Sequence, residues 1–375
     1  MRKTFRYRLF PTRAQRTKLN NTLEQCRWVY NETLDMRKRR YRETGQSVSL
    51  YDTNRMLTLW KAEHPALKDA HSQVLQNAQE RVDLAYKAFF RRVKAGDTPG
   101  FPRFKGTDRY DSFTFKQFGF RLLADGRLRL SKIGDVKIRL HRPIEGTIKT
   151  LAIKCDRIGN WYASFSVEIS PIVLPPTDKV AGIDLGLTTF AALSDGTVIN
   201  RQRWFKRDEK DLKRIQRKVS RLPKGSPERR KAVHALNHVH ARISNHRANF
   251  THQESRKLVD TYQVLVFEGL DIAGMQSNGN GTINKGIADV AWHQFIQHTI
   301  AKAEEAGRTV VLVDPRNTTQ LCSGCGRIVK KDLHIRVHDC PYCGLKLDRD
   351  LNAAINILTR GLASLDRMVI EAHVL

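Results

Sequence analysis

Two stretches of this chain leave little choice of local structure: Val180-Ala181-Gly182-Ile183-Asp184-Leu185 and Val264-Leu265-Val266-Phe267-Glu268. Each is a short, continuous run of apolar, largely β-branched residues, the pattern of a strand covered on both faces. A carboxylate closes each run, and burying one costs free energy unless something offsets it. A third acidic stretch, Asp348-Arg349-Asp350-Leu351-Asn352-Ala353-Ala354, precedes an apolar helical pattern, where an aspartate can be a plain N-cap. Taken singly, each acid reads as a cap or an ordinary strand-end acid. Taken together in a strongly basic chain, the three point to a metal-binding acidic site that acts on nucleic acid.

The charge supports a polyanionic partner. The 66 Lys and Arg against 38 Asp and Glu give a formal charge of +28 over 375 residues. That length has room for two or three domains. No apolar run is long enough to span a membrane, and Met1 to Phe10 carries Arg and Lys where a signal peptide needs an apolar core, so a cytoplasmic protein is expected. Of the six cysteines, Cys26 and Cys155 stand alone in apolar patterns, while Cys322, Cys325, Cys340 and Cys343 form two C-x-x-C knuckles. Four thiolates at that spacing suit one tetrahedral zinc, closed to substrate and therefore structural.

In chain order, Phe5, Tyr7 and Leu9 alternate with polar residues, predicting a strand, and Thr12-Arg13-Ala14-Gln15 is a capping-box spacing that opens a helix. Helical patterns follow around Thr53 to Lys61 and from Leu75 to Phe89, closed by Gly96. From 113 to 169 the texture is that of strands, and the opening strand has no neighbour in the helical segment, so it is expected to join them. The resulting fold class is multidomain α/β. A β-barrel from 1–10 and 97–175 carries an inserted helical bundle at 11–96, and an α/β domain at 176–375 carries an inserted zinc ribbon at 316–347. Strands are expected near 180–185, 188–193 and 197–199, helices near 205–222, 227–259 and 290–306, and a mobile Gly- and Asn-rich loop at 277–286.

Two basic features are candidate nucleic-acid contacts. Arg103 and Lys105 alternate with phenylalanines in Gly100-Phe101-Pro102-Arg103-Phe104-Lys105, which reads equally as a loop pinned by its aromatic residues. Lys206, Lys210, Lys213, Arg214, Arg217 and Arg221 recur at helical spacing on one face, either a phosphate-backbone surface or a solvated one. His234, His238, His240, His246 and His252 have no acidic or cysteine partner beside them and read as exposed polar residues.

Gly182-Ile183-Asp184-Leu185-Gly186, Phe267-Glu268-Gly269-Leu270, the two cysteine knuckles, the Gly100 to Lys105 loop and Asp348-Arg349-Asp350-Leu351-Asn352-Ala353-Ala354-Ile355-Asn356-Ile357 stand in the order that resembles the TnpB family. These are the OrfB-type proteins of IS200/IS605 transposable elements, related to miniature type V CRISPR effectors. The resemblance implies an RNase H-like RuvC nuclease domain, a wedge domain for the barrel and a recognition lobe for the bundle. It implies that Asp184, Glu268 and Asp350 are catalytic, with Asp348 a neighbour that could be confused with Asp350. Carboxylates crowded in one pocket repel one another unless divalent cations neutralise them, so the three are expected to hold two Mg²⁺ ions. It further implies an RNA-guided DNA endonuclease that binds a guide RNA from the element end and double- and single-stranded target DNA, with a monomer favoured. The alternatives are a nuclease-inactive RNA-guided DNA-binding repressor and an RNase H-type nuclease without guide RNA.

Overall fold

The computed structural model describes residues 1–202, 204–270, 291–332 and 334–374, the side chains of 108, 204–207 and 367–374 excepted. The expected loop at 277–286 lies outside these residues. Two compact units divide the chain, Met1–Ser170 and Pro171–Leu375.

In the first unit, β1 (Arg2–Phe10) buries Phe5, Tyr7 and Leu9, the apolar half of its alternation. It lies antiparallel to β7 (Trp161–Glu168), Arg2 facing Glu168, and by its other edge to β5 (Gly134–Arg139). With β2 (Ser112–Phe115), β3 (Phe120–Leu122), β4 (Arg127–Leu130) and β6 (Thr147–Cys155) it makes a seven-stranded sheet in the order β2-β6-β7-β1-β5-β4-β3. The sheet is nearly closed. Its two edges, β2 and β3, bring Phe115 and Phe120 to a ring separation of 6.1 Å, but no ladder joins them among the described residues.

Helices α1 (Arg13–Thr44), α2 (Leu50–Glu63) and α3 (Ser72–Lys94) follow β1. Thr12 accepts the Gln15 N–H at 3.3 Å and donates its own N–H to Gln15 Oε1 at 3.0 Å, closing the capping box. Ser49 and Asp52 form a second box, so α2 starts before the expected Thr53. Leu19, Cys26 and Leu34 of α1 meet Leu75 and Val82 of α3 in one core with Phe113 and Phe165 of the sheet. The helical segment expected at 11–96 therefore shares its core with the sheet. Cys26 is fully buried, which pushes its thiol up to about 12.

The break between units falls at Ser170/Pro171, ahead of the expected 175/176. Leu174 already belongs to the second unit, its N–H donating to the Ala306 carbonyl at 3.0 Å.

The second unit is a five-stranded sheet in the order β10-β9-β8-β11-β12, from β8 (Val180–Leu185), β9 (Ala191–Leu193), β10 (Val198–Ile199), β11 (Val264–Glu268) and β12 (Thr309–Val313). Strands β8, β11 and β12 are parallel, and β9 and β10 turn back antiparallel. Strand β9 starts later than the expected 188 because the Gly186 N–H bonds to Phe190 O, closing a turn there. Helices α4 (Trp204–Arg221) and α5 (Pro227–Thr261) form the hairpin, and α6 (Trp292–Ala306) and α7 (Arg349–Val374) complete the unit.

The two apolar runs are buried on both faces for different neighbours. Ile183, Leu265 and Phe267 meet Leu258 and Tyr262 at the end of α5 and Phe295 of α6. Val264 and Val266 point the other way, to Ile357 and Leu358 of α7. Among the described residues, no helix is long and apolar enough to cross a membrane.

Candidate active site and metal centre

The parallel register pairs Val180 with Val264, Gly182 with Val266 and Ile183 with Phe267, so the next pair along is Asp184 with Glu268. Parallel neighbours lie about 4.8 Å apart and project same-register side chains to one face. That face is the one α7 covers.

Helix α7 rests directly on strand backbone at Gly182. A Cβ there would lie 2.2 Å from Ala354 O and 2.5 Å from Leu358 N, closer than any real contact. A second such point is Gly361, where a Cβ would lie 2.4 Å from Val266 Cγ2. Ala354 is one turn beyond Asp350, so the glycine contact sets how near Asp350 comes to β8.

The two aspartates at the helix start have different occupations. Asp348 Oδ1 accepts the N–H groups of Asp350 at 2.8 Å and Leu351 at 3.2 Å, the geometry of an N-cap. The Asp350 side chain instead reaches Arg349, at 3.1 Å, and Arg336, at 3.7 Å. Its negative charge in the first turn also complements the helix dipole. Arg336 in addition donates to Thr188 Oγ1 at 2.8 Å, so one guanidinium spans from the β8–β9 turn to Asp350.

Asp184 senses the other two acids. Burial first, then the charges of Glu268 and Asp350, push Asp184 up to about 8, against the opposing pull of Arg349. Glu268 is raised by burial as well, while a hydrogen bond from Thr318 Oγ1 and the positive charge of Arg360 pull it down. Arg360 is itself fixed by the carbonyls of Asp314 and Arg316, each at 2.7 Å. The carboxylates thus come from two strand ends and one helix start, Glu268 held by Thr318 and Asp350 by Arg349 and Arg336, with Asp184 under the charge of the other two. Among the described residues, the group of His, Cys, Asp or Glu side chains drawn tightly enough to share one ion is the cysteine set.

In that set the sulfurs lie within 4.8 Å of one another, with Cys322 to Cys343 at 3.6 Å and Cys325 to Cys340 at 3.7 Å. Zinc–sulfur bonds of about 2.3 Å in a tetrahedron put sulfurs about 3.8 Å apart, so the four thiols fit zinc. Both knuckles use the same turn: the Gly326 N–H bonds to Cys322 O and the Gly344 N–H to Cys340 O, each at 2.9 Å, with both glycines at positive φ. The hairpin of β13 (Val337–Asp339) and β14 (Lys346–Asp348) leads from this centre straight into α7.

A second tie runs through two asparagines. Asn352 Oδ1 accepts the Ser323 N–H at 2.9 Å and its Nδ2 donates to Leu321 O at 2.7 Å. Asn356, one turn on, donates to Thr318 O at 2.9 Å and Leu321 O at 2.7 Å. Both are buried and bind the segment holding Thr318 and the first knuckle to the helix holding Asp350.

Residues 164–279 match the family OrfB_IS605, described as "Probable transposase"; residues 1–46 match its helix-turn-helix domain, and 292–357 the Cas12f1-like TNB domain. A protein of Streptomyces pristinaespiralis is 34% identical over 97% of this chain and 90% of its own length, and InsQ of Escherichia coli is 30% identical over 96% and 92%. Both carry the name "Putative RNA-guided DNA endonuclease". The chain belongs to the TnpB family. The fold is also that of the CasPhi-2 (Cas12j) structure bound to crRNA, at a TM-score of 0.50 and 10% identity over 96% of this chain and 98% of that one.

The helix-turn-helix described for the start of TnpB-family chains is here something else, a strand followed by one uninterrupted helix of 32 residues. The TNB match takes in α6, β12, both knuckles and the first turns of α7, the pieces that carry Thr318, Arg336 and Asp350. Thr318, Arg336, Arg349, Arg360 and the two asparagines were not singled out as site residues by the sequence. The signal available was Asn352 and Asn356, polar residues four apart in an otherwise apolar helical stripe.

The basic candidates divide. Lys213 pairs with Glu209 at 2.9 Å and Arg214 with Asp211 at 3.2 Å, so this face of α4 mixes signs more than the sequence pattern implied. Arg214, Arg217 and Arg221 line one groove with Lys218. Lys210 is exposed, and the Lys206 side chain lies outside the described residues. Arg103 is exposed, whereas the Lys105 backbone is held on α1: the Asn31 amide accepts its N–H at 2.8 Å and donates to its carbonyl at 3.0 Å. Phe101 packs on Phe89 and Tyr86, each at about 5 to 6 Å between rings, so the loop is pinned as well as basic. His234, His238, His240 and His252 are exposed; His246 is half-buried.

Proposed function

We propose that the chain is an RNA-guided DNA endonuclease, with Asp184, Glu268 and Asp350 as its catalytic carboxylates. The observation that carries this is the burial of Asp184 at the end of β8, where the charges of Glu268 at the end of β11 and Asp350 at the start of α7 raise its carboxyl further. Its context supports it: relatives of similar length are named RNA-guided DNA endonucleases.

The donor chemistry suits Mg²⁺, since hard carboxylate oxygens near one another are stabilised by divalent cations, while in this structure the acids are not drawn together tightly enough to share one ion. Asp184, Glu268 and Asp350 would hold two such ions, which supply Lewis acidity for phosphodiester hydrolysis when bound. The protein's own contribution is positioning. Thr318 aims the Glu268 carboxylate, the Asp348 cap fixes the first turn of α7, and Gly182 sets the distance from that turn to β8. Arg336 and Arg349 supply positive charge beside Asp350, where a DNA phosphate would approach. Cys322, Cys325, Cys340 and Cys343 would hold a zinc closed by four thiolates, which would supply structure and no chemistry. The hairpin between these knuckles and α7 would then be fixed at its base.

Target choice rests on pairing between guide RNA and DNA, and the charge of +28 serves backbone neutralisation. The test is to express the chain with its own locus, sequence the RNA that copurifies and assay cutting of DNA matched to it. Asp184→Ala is expected to abolish cutting while RNA and target binding survive. Cutting that persists in this variant, or wild-type cutting without RNA, would overturn the proposal.

A further inference from the structure

The first unit contains a cavity of about 410 Å³, where α1 and α3 meet the segment just before β2. Its size is that of a site for a small ligand. Tyr30 and Tyr110, buried residues only 4% and 8% exposed, form an aromatic corner in its wall, their rings 6.1 Å apart and tilted by 58°. Leu84, 54% exposed, gives one apolar side.

Three cations face this corner. The Arg81 guanidinium lies 5.3 Å from the Tyr110 ring and the Lys105 ammonium 5.7 Å from the Tyr30 ring, with Arg109 exposed at the rim. The acid among them, Asp111, is drawn toward Lys154 at 3.2 Å. The Arg81 guanidinium and the Lys105 backbone are held before any ligand arrives. Arg81 donates to Ser112 O at 2.7 Å, Thr114 Oγ1 at 3.2 Å and Asn77 Oδ1 at 3.1 Å. The Lys105 backbone is clamped on both sides by Asn31 and also receives Arg27 at 3.2 Å. Preorganisation of this kind reduces the ordering cost of binding.

An anion alone would need only the cations, and a greasy ligand only the tyrosines. Their combination in one cavity fits a flat ring joined to a phosphate. We propose that this pocket takes one unstacked nucleotide of a bound nucleic-acid strand, its base against Tyr30, Tyr110 and Leu84 and its phosphate on Lys105 and Arg109. Base–aromatic contact and phosphate pairing are the two elements of single-strand recognition. The pocket rests on the proposed function only for the origin of the strand, RNA or DNA.

The test is equilibrium dialysis of labelled AMP, UMP, dAMP and dTMP against the full-length protein freed of nucleic acid, with inorganic phosphate as competitor. Nucleotides are expected to bind about tenfold or more tighter than phosphate. Leu84→Trp, at an exposed position, keeps every cation and fills the cavity, and is expected to remove that difference. Lys105→Glu with Arg109→Glu is expected to abolish nucleotide binding. A preference for AMP and UMP over the deoxynucleotides assigns the pocket to RNA, and the reverse preference to DNA. Phosphate binding as tightly as nucleotides, or Leu84→Trp binding them unchanged, overturns the proposal. Nucleotide binding sensitive to Leu84→Trp in a protein that cuts no DNA would leave the pocket standing and sink the nuclease reading. Guided cutting by a protein that binds no nucleotide would do the opposite.

Discussion

Replacing Gly182 with alanine adds one methyl group at the point where β8 carries α7. That carbon would lie 2.2 Å from Ala354 O, 2.5 Å from Leu358 N and 2.8 Å from Leu358 Cβ. Ordinary contacts are about 1 Å longer, and two of the three obstacles are backbone, so no rotamer change relieves them. The helix must lift by about 1 Å. Overpacking of this kind costs about 1–3 kcal/mol, and a 1 Å displacement of a catalytic group costs about 10²-fold in rate. For a unit the size of Pro171–Leu375, that energy lowers the melting temperature by about 2–12 °C. The assay is single-turnover cleavage at saturating Mg²⁺ by the RNA-bound protein, beside a thermal melt. Gly361→Ala is the control, because the three atoms nearest its methyl all belong to the Val266 side chain, the first two at 2.4 Å and 2.5 Å. Adding Val266→Ala should restore Gly361→Ala but not Gly182→Ala. Near-wild-type cutting and melting of Gly182→Ala would refute the claim that this contact positions Asp350.

Three further outcomes follow from the same geometry. Asp184 titrates at about 8 in the fold against 3.8 for an ordinary aspartate, so the native state retains the proton longer and stability falls as pH rises between those values. Asp184→Asn should therefore melt above the wild type at pH 8.5 without divalent ions, by a margin that shrinks toward pH 4; a margin independent of pH would contradict the raised titration that burial and the neighbouring acids give Asp184. Thr318→Val removes the hydrogen bond that pulls Glu268 down, so the acidic limb of the pH–rate profile should move to higher pH, and an unmoved limb would show that Glu268 does not set it. Asn352→Ala leaves the Ser323 N–H and Leu321 O without this partner, at a cost of about 1–3 kcal/mol, and should slow cutting while metal analysis still finds one zinc per chain; loss of the zinc instead would mean that the asparagine supports the knuckles and not α7.

Much of this was legible from local pattern. The alternation in β1, the Thr12 to Gln15 box, the buried runs of β8 and β11 and the cysteine knuckles each carry their signal within a few residues. The ambiguity between Asp348 and Asp350 lay in a finer rule. An N-cap accepts from the second or third helical N–H, and Asp348 alone occupies that place. What the sequence withheld is what approaches from afar. Gly182 is visibly a glycine, yet nothing near it announces the carbonyl of Ala354, and Thr318 bonds to an acid 50 positions earlier. The expected closed barrel stopped short for a similar reason, because pairing of the last two edges depends on sheet curvature, which alternation does not encode.

The register of β1 bears on how the protein is made. Its partners begin at Gly134 and extend to Glu168, so this strand leaves the ribosome long before either neighbour exists. At about 5–20 residues per second, roughly 6–30 s pass before its strand partners are made. The residues of α1 to α3 are made in that same interval, and in the finished unit they share one apolar core with Phe5, Tyr7 and Leu9. The first strand's apolar side thus has core partners made early and ladder partners made late.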